Sequence, residues 1–201
     1  METGPNAKNY KNYKSYLTGI CIAGGALAVA SLLEPANAFN VQWIGLTVAS
    51  ILVATVTINV RLPKTALALI SMGDVLTILA LVNFGPGPAL LTYWVQLLSG
   101  TATAGYRLYG ITFLRKTAVD KLAFNISQCG ISVWSMHLAF EWANSLGLPN
   151  ASAQLYGLTA IALAWFFVNT STLSAAIALS NNQSFWIVWK DGLGLYILNF
   201  F

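Results

Sequence analysis

SMGDVLTILALVNFGPGPALLTYWVQLLS, residues 71–99, decides how the rest of the chain is read. Apolar runs flank Phe84-Gly85-Pro86-Gly87-Pro88 on both sides. Such a Gly/Pro cluster is too short for anything but a tight turn, so the sequence predicts two antiparallel neighbouring helices, residues 65–84 and 89–104. Asp74 is the one acidic residue well inside an apolar span. A carboxylate at the centre of a membrane helix costs about 2.5–3.5 kcal/mol on insertion scales, so it marks a contact with a purpose. Ser71, Asp74 and Thr77 share one face at i, i+3, i+6, and Gly73 permits close backbone approach beside the carboxylate.

Composition agrees with a membrane setting. Hydrophobic residues make up 57% of the 201-residue chain and charged residues 8%, where a soluble domain carries about 25% charged residues. Mean hydropathy is +0.66. The net charge of +4 sets topology rather than binding nucleic acid, because of where it falls. The segments 1–15, 61–64, 105–121 and 181–191 hold three, two, four and one Lys or Arg, which accounts for all ten. Placing these segments on the cytoplasmic side leaves outer loops with none, as the positive-inside rule requires. Cys21 and Cys129 both fall within apolar runs and read as small packing residues, not a disulfide. The polar opening followed by an apolar run reads as an uncleaved span.

In chain order, residues 1–15 are a polar tail, flexible or interfacial, with Tyr10, Tyr13 and Tyr16 suited to the headgroup level. The first span, 16–33, is rich in Gly and Ala, which let another helix approach closely, in the same bundle or in a partner subunit. Spans follow at 41–60, 65–84, 89–104, 122–142 and 153–180. Pro63 ends the second by disfavouring helix at Leu62. The fifth is the most polar, with Asn125, Gln128, Ser132 and Ser135 on one face. That stripe should face the bundle interior, as lining of a cavity or as interhelical hydrogen bonds. Residues 181–191 read as interfacial, and 192–201 as ten apolar residues, about half a span. They form an interfacial segment or the start of a seventh helix in a truncated chain.

Catalytic signatures are missing from the sequence. One histidine is present, with no CxxC, Walker loop, HExxH or GxSxG, and Asp74 and His137 are placed near opposite membrane faces. The expectation is a non-enzyme. Asp74 has three readings: a helix-helix contact, a ligand or cation contact, or a proton relay. His137 reads as a packed residue bonded to Glu141, as a contact to a polar ligand beside Trp134, or as an axial ligand of haem or chlorophyll.

On the serine- and Gly-Asp-containing helix, the Phe-Gly-Pro turn and the small- and polar-rich helix after it, the chain resembles the S components of energy-coupling-factor vitamin transporters. It is similar, more closely, to the membrane-associated sensor (MASE-like) regions that precede GGDEF or HD phosphohydrolase domains in bacteria. There a basic loop leads into a helix like KLAFNISQCGISVW, and a later segment resembles SFWIVWKDGL. The resemblance spans residues 62–193 and implies the membrane part of a sensor. It transfers no ligand contact by residue, no output domain follows, and the first-helix Ala pattern by which S components dock is only approximate.

The expectations are therefore an all-α polytopic protein of the bacterial inner membrane with its N-terminus cytoplasmic. It has a tail at 1–15, a six-helix domain at 16–180 and an interfacial segment or incomplete seventh helix at 181–201. It binds or senses a small ligand through Asp74, Ser71, Gln96, Asn125, Gln128, Trp134 and His137. No metal site is expected, and the sequence names no cofactor. The alternatives are a transporter subunit that needs an energising partner, and an accessory subunit of a respiratory or photosynthetic complex packed against other subunits or pigments.

Overall fold

A computed structural model gives the architecture and describes residues 7–34, 40–55, 58–61, 67–70, 73–109 and 119–198. Among these are seven helices: α1 (Ala7–Leu33), α2 (Val41–Thr55), α3 (Asp74–Phe84), α4 (Pro86–Tyr109), α5 (Val119–Asn144), α6 (Asn150–Asn181) and α7 (Phe185–Leu198). One antiparallel pair, β1 (Ile58–Arg61) and β2 (Leu67–Ile70), joins Ile58 to Ile70 and Arg61 to Leu67. Among the described residues the protein is thus helical apart from one antiparallel strand pair.

That strand pair corrects two expected spans. The second expected helix stops at Thr55 and the third begins only at Asp74. The intervening sequence explains why. Thr55, Val56, Thr57, Ile58 and Val60 form a run of β-branched residues with stiff χ1 angles, which fit a pleated strand better than a helix. By length and composition, the described helices able to cross a bilayer are two, Tyr10–Leu33 and Ser152–Asn181. α2 and α3 are apolar but short. α4 and α5 are long, but Gln96, Ser99, Thr101 and Thr103 dilute one, and Asp120, Lys121, Asn125, Gln128 and Glu141 the other.

Three boundaries also move. Residues 7–15, expected as a tail, continue α1 without a break. Lys14 folds back over the Tyr10 ring at 4.8 Å, an i, i+4 pair that supports the extension. The turn expected at 84–88 shrinks to Gly85, whose φ of 92° is open to glycine. Pro86 and Pro88 lie in the first turn of α4, where a missing N–H loses nothing because first-turn N–H groups have no intrahelical acceptor. Finally, residues 185–198 form one helix across the expected boundary at 191/192, with Gly192 buried.

Contacts fix the helix directions. Thr77 on α3 meets Gln96 on α4, so the pair is antiparallel about Gly85. Trp43 meets Pro88 and Thr92, while Ala54 lies near Gly100, so α2 and α4 run parallel. Tyr16 packs on Phe124 and Gly24 on Ser127 and Gly130, so α1 and α5 are parallel too. Gln128 pairs with Asn169 and Thr172, and Trp189 with Thr170. α6 therefore runs against α5, and α7 returns along α6.

The α1–α5 crossing is a close one. A Cβ on Gly24 would collide with the Ser127 carbonyl, and one on Gly130 with the Gly24 carbonyl. Small residues bring two backbones into contact, which recovers packing energy where lipid offers no hydrophobic drive between helices. The small-residue face of α1 is thus used, at Gly24 and Ala28, inside the bundle. The main core joins Ala28, Ala80, Leu81, Ala89, Leu90, Cys129, Val133, Met136, Ile161 and Trp165.

The hairpin apex is wedged rather than loose. Pro86 through Leu90 are all buried. A Cβ on Gly87 would lie 3.1 Å from the Ser31 carbonyl oxygen of α1. From α2, the Trp43 indole N–H lies 3.1 Å from both the Pro88 carbonyl oxygen and the Thr92 hydroxyl. Trp43 is set in place by Asn40, whose Oδ1 accepts the Trp43 backbone N–H at 2.9 Å, an N-cap interaction.

Candidate functional site

α3 opens at Asp74 on the buried Gly73. A Cβ at Gly73 would fall on the Gln96 side chain, so Gln96 occupies the space that glycine leaves. Gln96 and Thr77 are buried, and the Thr77 hydroxyl donates toward Gln96 Oε1 at 3.4 Å. One turn before Gln96 on α4 is Tyr93. The Asp74 carboxylate lies within electrostatic reach of the Tyr93 hydroxyl and of the Cys129 thiol on α5. The Trp165 indole of α6 faces the Tyr93 hydroxyl. Three helices therefore meet at the carboxylate, α3 and α4 through the hairpin geometry and α5 through Cys129, and α6 reaches Tyr93 through Trp165. Asp74 itself is half-buried, between the buried Gly73 and Thr77.

A second polar group lies on the neighbouring face of α5. The Gln128 amide donates to the Thr172 hydroxyl at 2.8 Å, to the Asn169 carbonyl oxygen at 3.2 Å, and to Asn169 Oδ1. The Tyr16 hydroxyl donates to the Thr172 carbonyl oxygen at 2.9 Å, which ties α1 into the same group. One turn on, Ser132 is fully buried, and its hydroxyl has no hydrogen-bond partner among the described residues. Buried polar groups are nearly always paired, so an orphaned hydroxyl next to a polar network calls for an explanation.

The seven residues expected to contact a ligand are distributed as follows. Asp74 and Gln96 are brought together. Gln128 lies beside them on α5 but looks toward α6, with Cys129 between the two groups. Trp134 and His137 pack ring against ring at 5.4 Å, further along α5 and half-buried. No hydrogen bond joins His137 to Glu141 among the described residues, and Glu141 is exposed. Asn125 is half-buried near the start of the stripe. Ser71 lies outside the described residues. The expected inward stripe on α5 holds for Gln128 and Ser132, which are buried, while Asn125 and Ser135 are at its margins.

Sequence reasoning passed over Tyr93, Cys129 and Trp165 as ligand neighbours. Tyr93 could have been found, since it shares a face with Gln96 at i, i+3 on the helix opposite Gly73. Cys129 and Trp165 carry no signal of their own, because the place of Cys129 beside Asp74 and of Trp165 beside Tyr93 depends on how α5 and α6 dock. The Trp94 indole packs onto α5, donating to the Ile126 carbonyl oxygen at 3.0 Å.

Among the described residues, no group of three or more His, Cys, Asp or Glu could hold a metal ion. No family model matches the chain, and neither a curated protein nor a solved structure matches it.

Proposed function

We propose that the chain is a non-catalytic, multi-pass domain of the bacterial inner membrane that binds or senses a small ligand at the Asp74 site. The observation that carries this reading is the convergence of Asp74, Thr77, Gln96 and Tyr93 with Cys129 and Trp165 inside an apolar bundle. Structural hydrogen bonds between membrane helices average only about 0.6 kcal/mol, a small return on burying a carboxylate. A carboxylate flanked by an amide, a hydroxyl and aromatic rings offers polar recognition within an apolar lining, the usual make-up of a small-molecule site. The orphaned Ser132 hydroxyl adds an unused polar group next to the Gln128 network.

Helix directions support a six-span topology with the N-terminus in the cytoplasm. The start of α1, the end of α2, the end of α4, the start of α5 and the end of α6 all lie at one end of the bundle. The basic segments 8–14, 61–64, 105–121 and 181–190 are attached to those ends. Basic segments attached to one end of the bundle match the positive-inside rule.

The test is to purify the chain from native membranes in mild detergent and examine it by native mass spectrometry. A retained small molecule that disappears in Asp74→Asn, with the helical circular dichroism unchanged, supports the reading. Stoichiometric co-purification with other subunits or pigment, unaffected by Asp74→Asn, refutes it and supports the accessory-subunit alternative.

A further inference from the structure

A groove runs along the seam between the start of α1 and the start of α5, away from the Asp74 site. It encloses about 470 Å³. Its two ends differ in chemistry. Tyr13, Lys14 and Asp120 form the mouth, while Leu17, Cys21 and Ile22 line the part further along α1. A second, more open groove of about 640 Å³ continues around the same helix past Lys11, Ser15 and Gly19. From Lys11 to Ile22 the helix rises about 16 Å. The charged groups lining the two grooves are cationic on balance: Lys11 and Lys14 against the single carboxylate of Asp120. Asp120 is turned partly to its own helix, since Oδ1 accepts the Lys121 backbone N–H at 3.0 Å. Lys14 is held over the Tyr10 ring at 4.8 Å, which keeps its ammonium at the mouth.

We propose that these two adjoining grooves, which share Lys14, Thr18 and Ile22, form a binding site for one anionic phospholipid, its phosphate at Lys11 and Lys14 and an acyl chain along Leu17, Cys21 and Ile22. The inference rests on the reading of α1 as a membrane helix with its N-terminus at the cytoplasmic face. The order of chemistry along the groove matches a lipid entering from that face. Cations and tyrosine ring edges come first, at headgroup level, and apolar surface follows toward the bilayer interior. A free phosphate would use the mouth and leave the apolar length idle. A zwitterionic lipid would fill the length and gain little from the lysines.

The experiment is native mass spectrometry of the full chain in mild detergent. Phosphatidylglycerol and phosphatidylcholine of equal chain length compete at equal concentration, and inorganic phosphate is tested alone. The expected result is a single retained phosphatidylglycerol, preferred over phosphatidylcholine by about tenfold or more. A lysine near an anionic surface contributes about fivefold in affinity, so Lys11→Gln with Lys14→Gln lowers retention by about twenty-fivefold. Lys190→Gln, on α7, leaves it unchanged. Thr18→Trp fills the groove without altering charge and also abolishes retention. Three results overturn the proposal: equal retention of the two lipids, displacement by inorganic phosphate, or retention that survives Thr18→Trp, which would mean unspecific attraction to the basic surface. If the chain is released from membranes by alkaline carbonate, it is the membrane reading itself that fails.

Discussion

Gly24 and Gly25 are adjacent in α1, yet replacing each by alanine should have opposite effects. Gly25 is exposed, and an added Cβ would meet nothing within 4 Å. Gly24 is buried, and its Cβ would enter the Ser127 carbonyl of α5. That obstacle is backbone, so it cannot turn aside as a side-chain tip would. Either α1 and α5 move apart or α1 rotates. Moving apart also loosens the contact of Gly130 with the Gly24 carbonyl and with Ala28. Overpacking in a tight contact costs about 1–3 kcal/mol, and a backbone obstacle belongs at the upper end of that range. Glycine to alanine within a helix returns about 1 kcal/mol through propensity. Gly24→Ala should therefore destabilise by about 2 kcal/mol, and Gly25→Ala should be neutral or stabilise by up to about 1 kcal/mol. The difference of about 2–3 kcal/mol is about a thirtyfold to hundredfold change in the folding equilibrium. The assay is a denaturation titration with sodium dodecyl sulfate in mild detergent micelles, followed by helical circular dichroism for both variants and the parent. Equal effects at the two positions, or stabilisation by Gly24→Ala, would refute the parallel docking of α1 on α5 through these glycines.

Trp43→Phe removes the indole N–H that reaches the Pro88 carbonyl oxygen and the Thr92 hydroxyl but keeps most of the ring. It should lower stability by about 1–2 kcal/mol, and the same titration checks it, with an unchanged midpoint counting against the wedged hairpin apex. Gln128→Leu leaves the Asn169 carbonyl and the Thr172 hydroxyl without their shared donor. Within a bilayer bundle this should cost about 1–2 kcal/mol. Because Gln128 faces α6 while Cys129 faces Asp74, binding at the Asp74 site should survive the substitution, which native mass spectrometry reads directly.

Asp74 shows how far a sequence can point toward a site. One acid inside an apolar run is conspicuous because charge is costly there, and that cost is independent of the fold. Gly73 beside it and Gln96 across the hairpin follow from the one-residue turn at Gly85, because a short connection between helices leaves little choice of register. The other half of the site was not legible. Cys129 reaches Asp74, and Trp165 reaches Tyr93, only because α5 and α6 dock against the hairpin, and both residue types are ordinary in an apolar core. His137 was singled out because it is the one histidine. A single ring within an apolar helix is as readily a packing partner, and it stacks on Trp134, well along α5 from Cys129.

What the sequence determined by itself came from local and compositional physics. The apolar bias, the grouping of every Lys and Arg into four segments, the hairpin about Gly85, and the inward stripe at Gln128 and Ser132 depend on residues close in the chain or on solvent preference alone. Tertiary structure decided the rest. The β-branched run after Ala54 could extend a helix or pair as a strand, and the pairing of Ile58–Arg61 with Leu67–Ile70 chose the strand. Gly24 and Gly130, one hundred and six positions apart, form a backbone contact that no local pattern specifies. Periodicity tells which face of a helix seeks a partner. Which helix that partner is depends on shape at the contact, where one added Cβ is enough to forbid it.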